Sequence, residues 1–190
     1  MSKQDLDKWN QLYAEDSYRK NNPVVLLQDW LPGIPVGKAL DVACGAGRNS
    51  IFLAQTGFRV DAIDISPEGL SKARQLAESQ GLNINWIEHD LDQAFAFDTD
   101  YDLIVVMWYV NLALLTRLCD CLATGGYLLC EEHLITDQDV IGPTSSSYRV
   151  APGALREALS GLDVLLYEET IENGSDDERV ASARVVGIKN

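Results

Sequence analysis

The residues best suited to chemistry lie at positions 41–50, where the chain reads Asp-Val-Ala-Cys-Gly-Ala-Gly-Arg-Asn-Ser. Gly45 and Gly47 remove side chains from a sharp turn and let a ligand approach the backbone. A helix that begins near Arg48 would offer unpaired N–H groups to that ligand. Asp41 favours a cationic ligand, because its carboxylate would repel the pyrophosphate of a dinucleotide. The segment therefore indicates a cofactor-binding loop.

Apolar segments separated by glycine turns predict the elements that position this loop. A strand at residues 39–43, a helix closed by a Thr-Gly pair and a strand at residues 58–63 make up a βαβ unit. Asp64 and Asp90 follow the second and third strands, so they would meet the glycine turn at one edge of the sheet. Further strands are predicted at residues 84–88, 101–107 and 127–130, with a closing antiparallel hairpin at residues 162–171 and 179–188. This order predicts an α/β fold.

A helical leader is predicted to precede the sheet. Apolar residues at helical spacing indicate an amphipathic helix at residues 5–20, and a second apolar segment occupies residues 24–31. We expect a single domain of 190 residues, with residues 1–37 as the leader and residues 38–190 as the core. The leader either packs on this core or covers the ligand as a lid.

Two connections near the predicted site are also informative. The polar connection at residues 136–149 is long for a compact domain and is therefore expected to be functional or mobile. After the strand at residues 101–107, a helix is expected to begin at Trp108 and to end before the Gly125-Gly126 turn.

The composition narrows the class of partner. A formal net charge of −14 would repel nucleic-acid phosphates and anionic lipid surfaces, so we expect no nucleic acid and no membrane partner, and favour a small-molecule substrate. No apolar run approaches the length of a membrane span and no signal peptide is recognisable, which predicts a cytoplasmic location. The four cysteines lack the spacing of metal or redox motifs. We therefore predict buried, reduced thiols and no metal site, and leave the oligomeric state open.

The acids and glycines occur in an order that resembles the class I S-adenosylmethionine-dependent methyltransferases. The ordered set consists of Asp41, Gly45-Ala46-Gly47, Asp64, Asp90 and Gly125-Gly126. More narrowly, the leader at residues 9–14 and the segment at residues 47–50 are similar to the small bacterial methyltransferases of the tellurite-resistance type. The resemblance implies S-adenosylmethionine as cofactor. It also implies a Rossmann-like, doubly wound, seven-stranded mixed sheet whose last strand is antiparallel.

The same resemblance assigns places around the cofactor. The glycine turn would lie beside its methionine part, Asp64 would bind the ribose hydroxyls, and Asp90 would bind the adenine amino group with Leu91 alongside. One or both of the leader tyrosines, Tyr13 and Tyr18, would contact the cofactor. The predicted cofactor-binding residues are Asp41, Gly45, Ala46, Gly47, Asp64, Ile65, Asp90, Leu91, Tyr13 and Tyr18.

Catalysis of methyl transfer makes modest demands on the protein. The reaction is an in-line displacement with a neutral leaving group, so orientation in a dry site supplies much of the acceleration. A base is needed only for a protonated acceptor, and His89, His133 and Tyr109 are the candidates. Arg149 is a candidate for binding an anionic acceptor. His133 also fits a structural role, and Arg149 also fits a surface salt bridge.

The residues alone leave open both the acceptor of a methyl transfer and two other functions. The acceptor is expected to be a small molecule, such as a thiol, a chalcogen oxyanion or a small metabolite. A module that binds the cofactor without turnover, or that senses it, would carry the same pocket. An NAD-dependent oxidoreductase is disfavoured, because Ser50 stands where the dinucleotide fingerprint has its third glycine.

Overall fold

The structure, a computed structural model, describes residues 3–14, 22–173 and 178–190. Its α-helices are α1 (Lys3–Ala14), α2 (Val25–Trp30), α3 (Arg48–Gln55), α4 (Pro67–Ser79), α5 (Leu112–Asp120) and α6 (Ala154–Ala158). Its strands are β1 (Lys38–Val42), β2 (Arg59–Asp64), β3 (Asn85–Glu88), β4 (Tyr101–Met107), β5 (Leu122–His133), β6 (Asp163–Asn173) and β7 (Arg179–Ile188). Short 3-10 helices occupy Leu31–Gly33 and Ser146–Tyr148.

The strands form one mixed sheet in the order β3-β2-β1-β4-β5-β7-β6. β4 lies at its centre, and the adjacent β1 pairs in parallel with both β2 and β4. β7 is antiparallel to both of its neighbours, β5 and β6. The predicted seven-stranded mixed sheet with an antiparallel last strand is therefore confirmed. The strand order reverses between β1 and β4, and a crevice for a ligand forms at the carboxyl ends of the strands at such a point.

Side chains that alternate along the strands build a core on each face of the sheet. On β4, Leu103 and Val105 pack with the apolar residues of α2, α3 and α4, whereas Ile104 and Val106 pack with those of α5 and α6. Both faces of the central strands are therefore covered by helices, which is why these strands read as continuous apolar runs. The sheet is doubly wound, as predicted.

Two predicted elements differ in the structure. The helix after β4 begins at Leu112 rather than Trp108, because Trp108 has a φ of +64° and Asn111 caps the helix by accepting the Leu114 N–H at 3.0 Å. β5 begins at Leu122 and includes the Gly125-Gly126 pair that was predicted as a turn. Its pairing with β4 shifts register there, and the extra residues are absorbed as a bulge.

Some sequence predictions fall on residues outside the described ranges. These are the end of the first helix, Tyr18 and the tip of the final hairpin. Within the described ranges, no helix combines the length and the apolar character that a membrane crossing requires. All four cysteines are free thiols, and Cys44, Cys119 and Cys130 are buried.

Candidate active site

A cavity of about 350 Å³ lies where the sequence places the site, at the carboxyl ends of the central strands. Its wall contains the glycine loop after β1, Asp64 and Ile65 at the end of β2, and residues 107–110 at the end of β4. α1 and the 3-10 helix Ser146–Tyr148 complete the wall from above the sheet. The predicted leader and the predicted long connection thus both contribute side chains to this cavity.

The glycine loop requires its glycines because neighbouring side chains occupy the space of a Cβ. Gly45 has a φ of +56°, and a Cβ there would collide with the hydroxyl end of Tyr13. Gly47 has a φ of +80°, and a Cβ there would lie 2.7 Å from the Cβ of Ala73. Both backbone conformations are strained for other residues. The loop therefore gains its shape and its close packing from the absence of side chains.

Asp64 joins the end of β2 to this loop. One carboxylate oxygen accepts the Gly45 N–H at 2.8 Å, and the other accepts the Ser66 N–H at 2.8 Å. The side chain lies in the cavity wall, and burial raises the pKa of its carboxyl group. Since a carboxylate has about four lone-pair sites, Asp64 keeps acceptor capacity for a ligand hydroxyl.

Asp41 lies beneath the loop instead of at the cavity surface. It is 1% exposed and accepts a hydrogen bond from the Ser50 hydroxyl of α3. Burial raises the pKa of Asp41 to about 7. The carboxyl group does not reach the cavity wall, so the direct contact with the cofactor expected from the sequence has no support in this geometry.

The connection after β3 contributes Leu91 and Asp92 to the wall, whereas Asp90 is not part of it. An Asp90 carboxylate oxygen accepts the Asp92 N–H at 3.0 Å and so turns the chain back toward the cavity. Asp92 in turn accepts a hydrogen bond from the Tyr109 hydroxyl at 3.3 Å. The adenine contact predicted for Asp90 stays a prediction.

α1 covers the glycine loop. The rings of Trp9 and Tyr13 stack with centroids 5.9 Å apart, and both side chains lie in the cavity wall. The Ser66 hydroxyl donates to the Asn10 side-chain oxygen at 2.6 Å, which attaches the helix to the start of α4. This position is compatible with the cofactor contact predicted for Tyr13, which stays a prediction.

Arg149 fixes the long connection. Its guanidinium donates to the carbonyl oxygens of Pro143 at 2.8 Å and Leu134 at 2.9 Å. The side chain is not in the cavity wall, but the neighbouring Ser147 and Tyr148 are. In this geometry Arg149 holds the long connection in place and does not contact the cavity in which an anionic acceptor would bind.

The end of β4 supplies two aromatic side chains to the wall. Trp108 has a φ of +64°, which costs a bulky residue about 1–3 kcal/mol. Its ring lies 4.4 Å from that of His133, which stands behind it and outside the wall. Tyr109 lies in the wall, and burial raises the pKa of its phenol, so that it stays protonated at neutral pH. Of the three candidate bases, His89, His133 and Tyr109, only Tyr109 lies in the cavity wall.

Several wall residues were given no part in the site by the sequence. Arg48 follows the glycine turn directly, and its side chain faces the cavity. Its positive charge lowers the pKa values of Asp41 and Glu131, against the larger effect of burial. The position of Arg48 after the turn was the available signal. Trp9 and Ser147 lie in two segments that the sequence singled out, the leader and the long connection, but only tertiary packing decides that these two residues line the cavity.

Known proteins share both this sequence pattern and this architecture. Residues 39–126 match a methyltransferase domain family. The chain is 30% identical over 152 residues to the probable S-adenosyl-L-methionine-dependent methyltransferase TehB of Haemophilus influenzae, in an alignment that covers 73% of this chain and 52% of that protein. Residues 39–126 thus form a domain of the methyltransferase type, similar to that of the TehB methyltransferases. The chain also shows 35% identity over 114 residues to the putative methyltransferase YqeM of Bacillus subtilis, covering 60% of this chain and 38% of YqeM.

Solved methyltransferases have the same fold. The crystal structure of Haemophilus influenzae TehB superposes with a TM-score of 0.76 at 24% identity, covering 97% of this chain and 67% of TehB. The N-methyltransferase NodS of Bradyrhizobium japonicum, solved with S-adenosyl-L-homocysteine, superposes with a TM-score of 0.73 at 19% identity, covering 97% of each chain. The chain spans about half the length of the Haemophilus relative and less of the Bacillus one.

The residues that line this cavity fit S-adenosylmethionine. The loop offers the close backbone approach that an absent Cβ permits at Gly45. Asp64 and Asp92 supply carboxylates, and Trp9 and Tyr13 supply aromatic faces, beside which a sulfonium cation is stabilised. These carboxylates and aromatic rings thus suit a positively charged nucleoside better than a pyrophosphate.

Proposed function

We propose that this chain transfers a methyl group from S-adenosylmethionine to a small-molecule acceptor bound in the same cavity. The observation that carries the proposal is the hydrogen bond from the Gly45 N–H to Asp64, which holds the glycine loop and an acid of β2 together in the wall of the cavity. The match of residues 39–126 to a methyltransferase domain family supports it, as does the S-adenosyl-L-homocysteine held by NodS, a protein of the same fold.

The cofactor would occupy the half of the cavity formed by β1, β2 and β3. In this proposal the backbone of Gly45, Ala46 and Gly47 lies beside its methionine part. Asp64 and Ile65 hold the ribose, and Leu91 packs against the adenine. The other half, which we call the acceptor-side wall, consists of Met107, Trp108, Tyr109 and Val110 at the end of β4.

When bound, S-adenosylmethionine supplies an electrophilic methyl group on a sulfonium whose departure leaves a neutral thioether. The residues of this chain orient the acceptor and exclude water. Trp9 and Tyr13 cover the glycine loop, Tyr148 closes the cavity from the long connection, and Trp108 forms its floor. Holding two reactants in line in this way replaces a bimolecular encounter with a unimolecular one.

The wall offers little acid–base chemistry. Tyr109 is a protonated phenol that donates to Asp92, and burial raises the pKa of the Cys44 thiol well above its ordinary value. We therefore propose acceptors whose attacking atom needs no enzymatic base, such as a thiolate, a chalcogen oxyanion or a neutral amine. In such a reaction Tyr109 serves as a hydrogen-bond donor.

We also propose that residues 1–37 act as the lid of a single domain whose core is residues 38–190. α1 supports this role, because it places Trp9 and Tyr13 over the loop and is attached to α4 through Asn10. The absence of a membrane-spanning helix among the described residues and the acidic composition are compatible with a cytoplasmic enzyme that acts on small molecules.

Calorimetric titration with S-adenosylhomocysteine tests the cofactor site. We expect the unaltered chain to bind and Asp64→Asn to lose about tenfold in affinity or more, about 1.4 kcal/mol, because an amide N–H would oppose the N–H of Gly45 or Ser66. Asp61→Asn, an acid-to-amide change on the same strand outside the cavity wall, is the control. Absence of binding, or equal binding by the Asp64 variant, contradicts the proposal.

A turnover screen separates the enzyme from a sensor. S-adenosylhomocysteine release is measured with S-adenosylmethionine and one small thiol, tellurite, selenite, one primary amine and one phenol. Turnover of any of these establishes transfer. If the protein binds S-adenosylhomocysteine tightly but turns over none of them, a binding module is the better description. Binding of NAD in place of the sulfonium cofactor would overturn both.

A further inference from the structure

Three consecutive residues at the end of β5 hold the turn that follows β4. The backbone carbonyl of Glu131 accepts the Trp108 N–H at 2.8 Å. The side chain of Glu132 accepts the Tyr109 N–H at 2.8 Å. The His133 ring packs against the Trp108 ring at 4.4 Å between centroids. The strand next to β4 therefore supports both aromatic residues of the acceptor-side wall from behind.

Glu132 is an unusual residue for that position. It is 1% exposed, and it lies outside the cavity wall. Oε1 accepts the Tyr109 N–H and faces the Cys130 thiol at 4.0 Å, whereas Oε2 has no hydrogen-bond partner among the described residues. Burial raises the pKa of this carboxyl group well above its usual range. Burying a carboxyl group with a single backbone hydrogen bond destabilises the folded state. We therefore asked which feature of the structure this hydrogen bond supports.

The hydrogen bond from the Tyr109 N–H to Glu132 supports the backbone conformation at Trp108. A left-handed conformation at a bulky residue persists only where the surroundings hold it. The N–H of Tyr109 comes directly after that residue, and it is the group that Glu132 binds. Without this acceptor, the partly buried N–H loses its hydrogen bond, which favours relaxation of the turn. Relaxation there would move the side chains of Trp108 and Tyr109 together.

We propose that Glu132 is a positioning residue that sets the acceptor-side wall through its hydrogen bond to the Tyr109 N–H. Glu132 touches neither half of the cavity and acts only through Trp108 and Tyr109. The meaning of that wall for an acceptor rests on the proposed function. The positions of the Trp108 and Tyr109 rings relative to the Glu132 carboxyl group can be tested without turnover.

Fluorine NMR of protein labelled with 5-fluorotryptophan tests the geometry. The chain has four tryptophans, and the Trp108→Phe variant assigns the resonance that matters. We expect Glu132→Leu, which has no acceptor, and Glu132→Asp, whose acceptor is withdrawn by one methylene, to move the Trp108 resonance beyond its linewidth. Glu132→Gln keeps an acceptor oxygen and is expected to restore the native position. The Trp30 resonance is the internal reference, because Trp30 lies in α2 and outside the cavity wall.

The outcomes separate positioning from general packing. A Trp108 resonance unmoved in both the Leu and the Asp variants overturns the proposal, and so does a shift that Trp30 shares. If the Leu variant fails to fold, the Asp variant decides. Glu131→Gln is the matched control on the same strand, since the side chain of Glu131 instead forms a salt bridge with Arg184 at 2.9 Å. It is expected to leave the Trp108 resonance in place.

Binding and turnover complete the test. S-adenosylhomocysteine affinity is expected to be the same for Glu132→Asp and the unaltered chain, because the cofactor half lies on the other strands. Turnover of whichever acceptor the screen identifies is expected to fall by about 10- to 100-fold in this variant, and to recover in Glu132→Gln. Loss of affinity for S-adenosylhomocysteine with unchanged turnover would overturn the assignment to the acceptor side. Failure of the unaltered chain to bind refutes the proposed function, while the fluorine spectra still decide the geometry.

Discussion

The ammonium group of Lys8 lies 4.8 Å from the centroid of the Tyr148 ring. This contact joins α1 to the 3-10 helix Ser146–Tyr148, two segments far apart in the sequence. Trp9 and Ser147, their immediate neighbours, both lie in the cavity wall. The leader and the long connection therefore meet as one cover above the strand ends.

A double-mutant cycle on this pair tests whether the cover acts as a unit. Lys8→Gln and Tyr148→Leu each remove the contact, and we expect them to be non-additive in S-adenosylhomocysteine affinity by about 0.5–1 kcal/mol, the value of an exposed cation–π contact. This corresponds to about a two- to fivefold change in the dissociation constant. Lys8→Arg keeps the cation and is expected to bind normally. Strict additivity of the two changes would show that the segments move independently.

Gly45→Ala is expected to weaken the site through Tyr13. The new Cβ meets the Tyr13 hydroxyl, and the φ of +56° costs a residue with a side chain about 1–2 kcal/mol. Urea unfolding measures the stability and calorimetry measures the affinity for S-adenosylhomocysteine. The additional change Tyr13→Ala is expected to relieve the collision but not the backbone cost. Gly33→Ala is the control, because a Cβ there has no atom within 4 Å; equal effects at both glycines would refute the argument.

Asp41 is expected to make stability depend on pH. Its pKa is raised from 3.8 to about 7 by burial, so between these values the folded state binds more protons than the unfolded state. The free energy of unfolding therefore falls as the pH rises from about 4 to about 7. Relative to the unaltered chain, Asp41→Asn is expected to gain stability through this window, by about 2–4 kcal/mol above it.

Urea unfolding at a series of pH values measures this difference. Because Asp64, Glu131 and Glu132 also have raised pKa values, the informative quantity is the variant minus the unaltered chain at each pH. An asparagine oxygen can still accept from the Ser50 hydroxyl, so the comparison isolates the charge. Parallel curves for the two proteins would show that the Asp41 carboxyl group titrates normally.

Arg149→Gln is expected to loosen the connection that carries Tyr148. Two backbone carbonyls, those of Leu134 and Pro143, lose a charged donor, and each such loss costs about 1–3 kcal/mol where the groups are buried. Limited proteolysis is expected to cut residues 136–149 faster in this variant. Arg156→Gln, on the exposed side of α6, is the control. If the cleavage rate is unchanged and the KM for anionic acceptors rises, Arg149 binds the acceptor instead of holding the loop.

Much of the fold and part of the site could be read from local sequence patterns. Apolar runs bounded by turns predicted the strands, and the runs are clearest in β1 and β4 because these parallel strands are buried on both faces. The glycine loop was predictable because few residue types other than glycine tolerate its backbone conformation. Asp64 was predictable as well, since an acid that ends a strand beside that loop meets it at the edge of the sheet. These features depend on neighbours in the chain, and the residues alone determined them.

The tertiary structure decided which side chains reach the cavity. Asp41 shares a face of β1 with Ala39, so it points toward Ser50 of α3 and not toward the carboxyl edge. His133 stands behind Trp108, and Arg149 is held by carbonyls of its own loop. The role of Glu132 depends on the pairing of β4 with β5, which brings distant residues together. Side-chain direction and long-range packing set these contacts, and no local pattern encodes them.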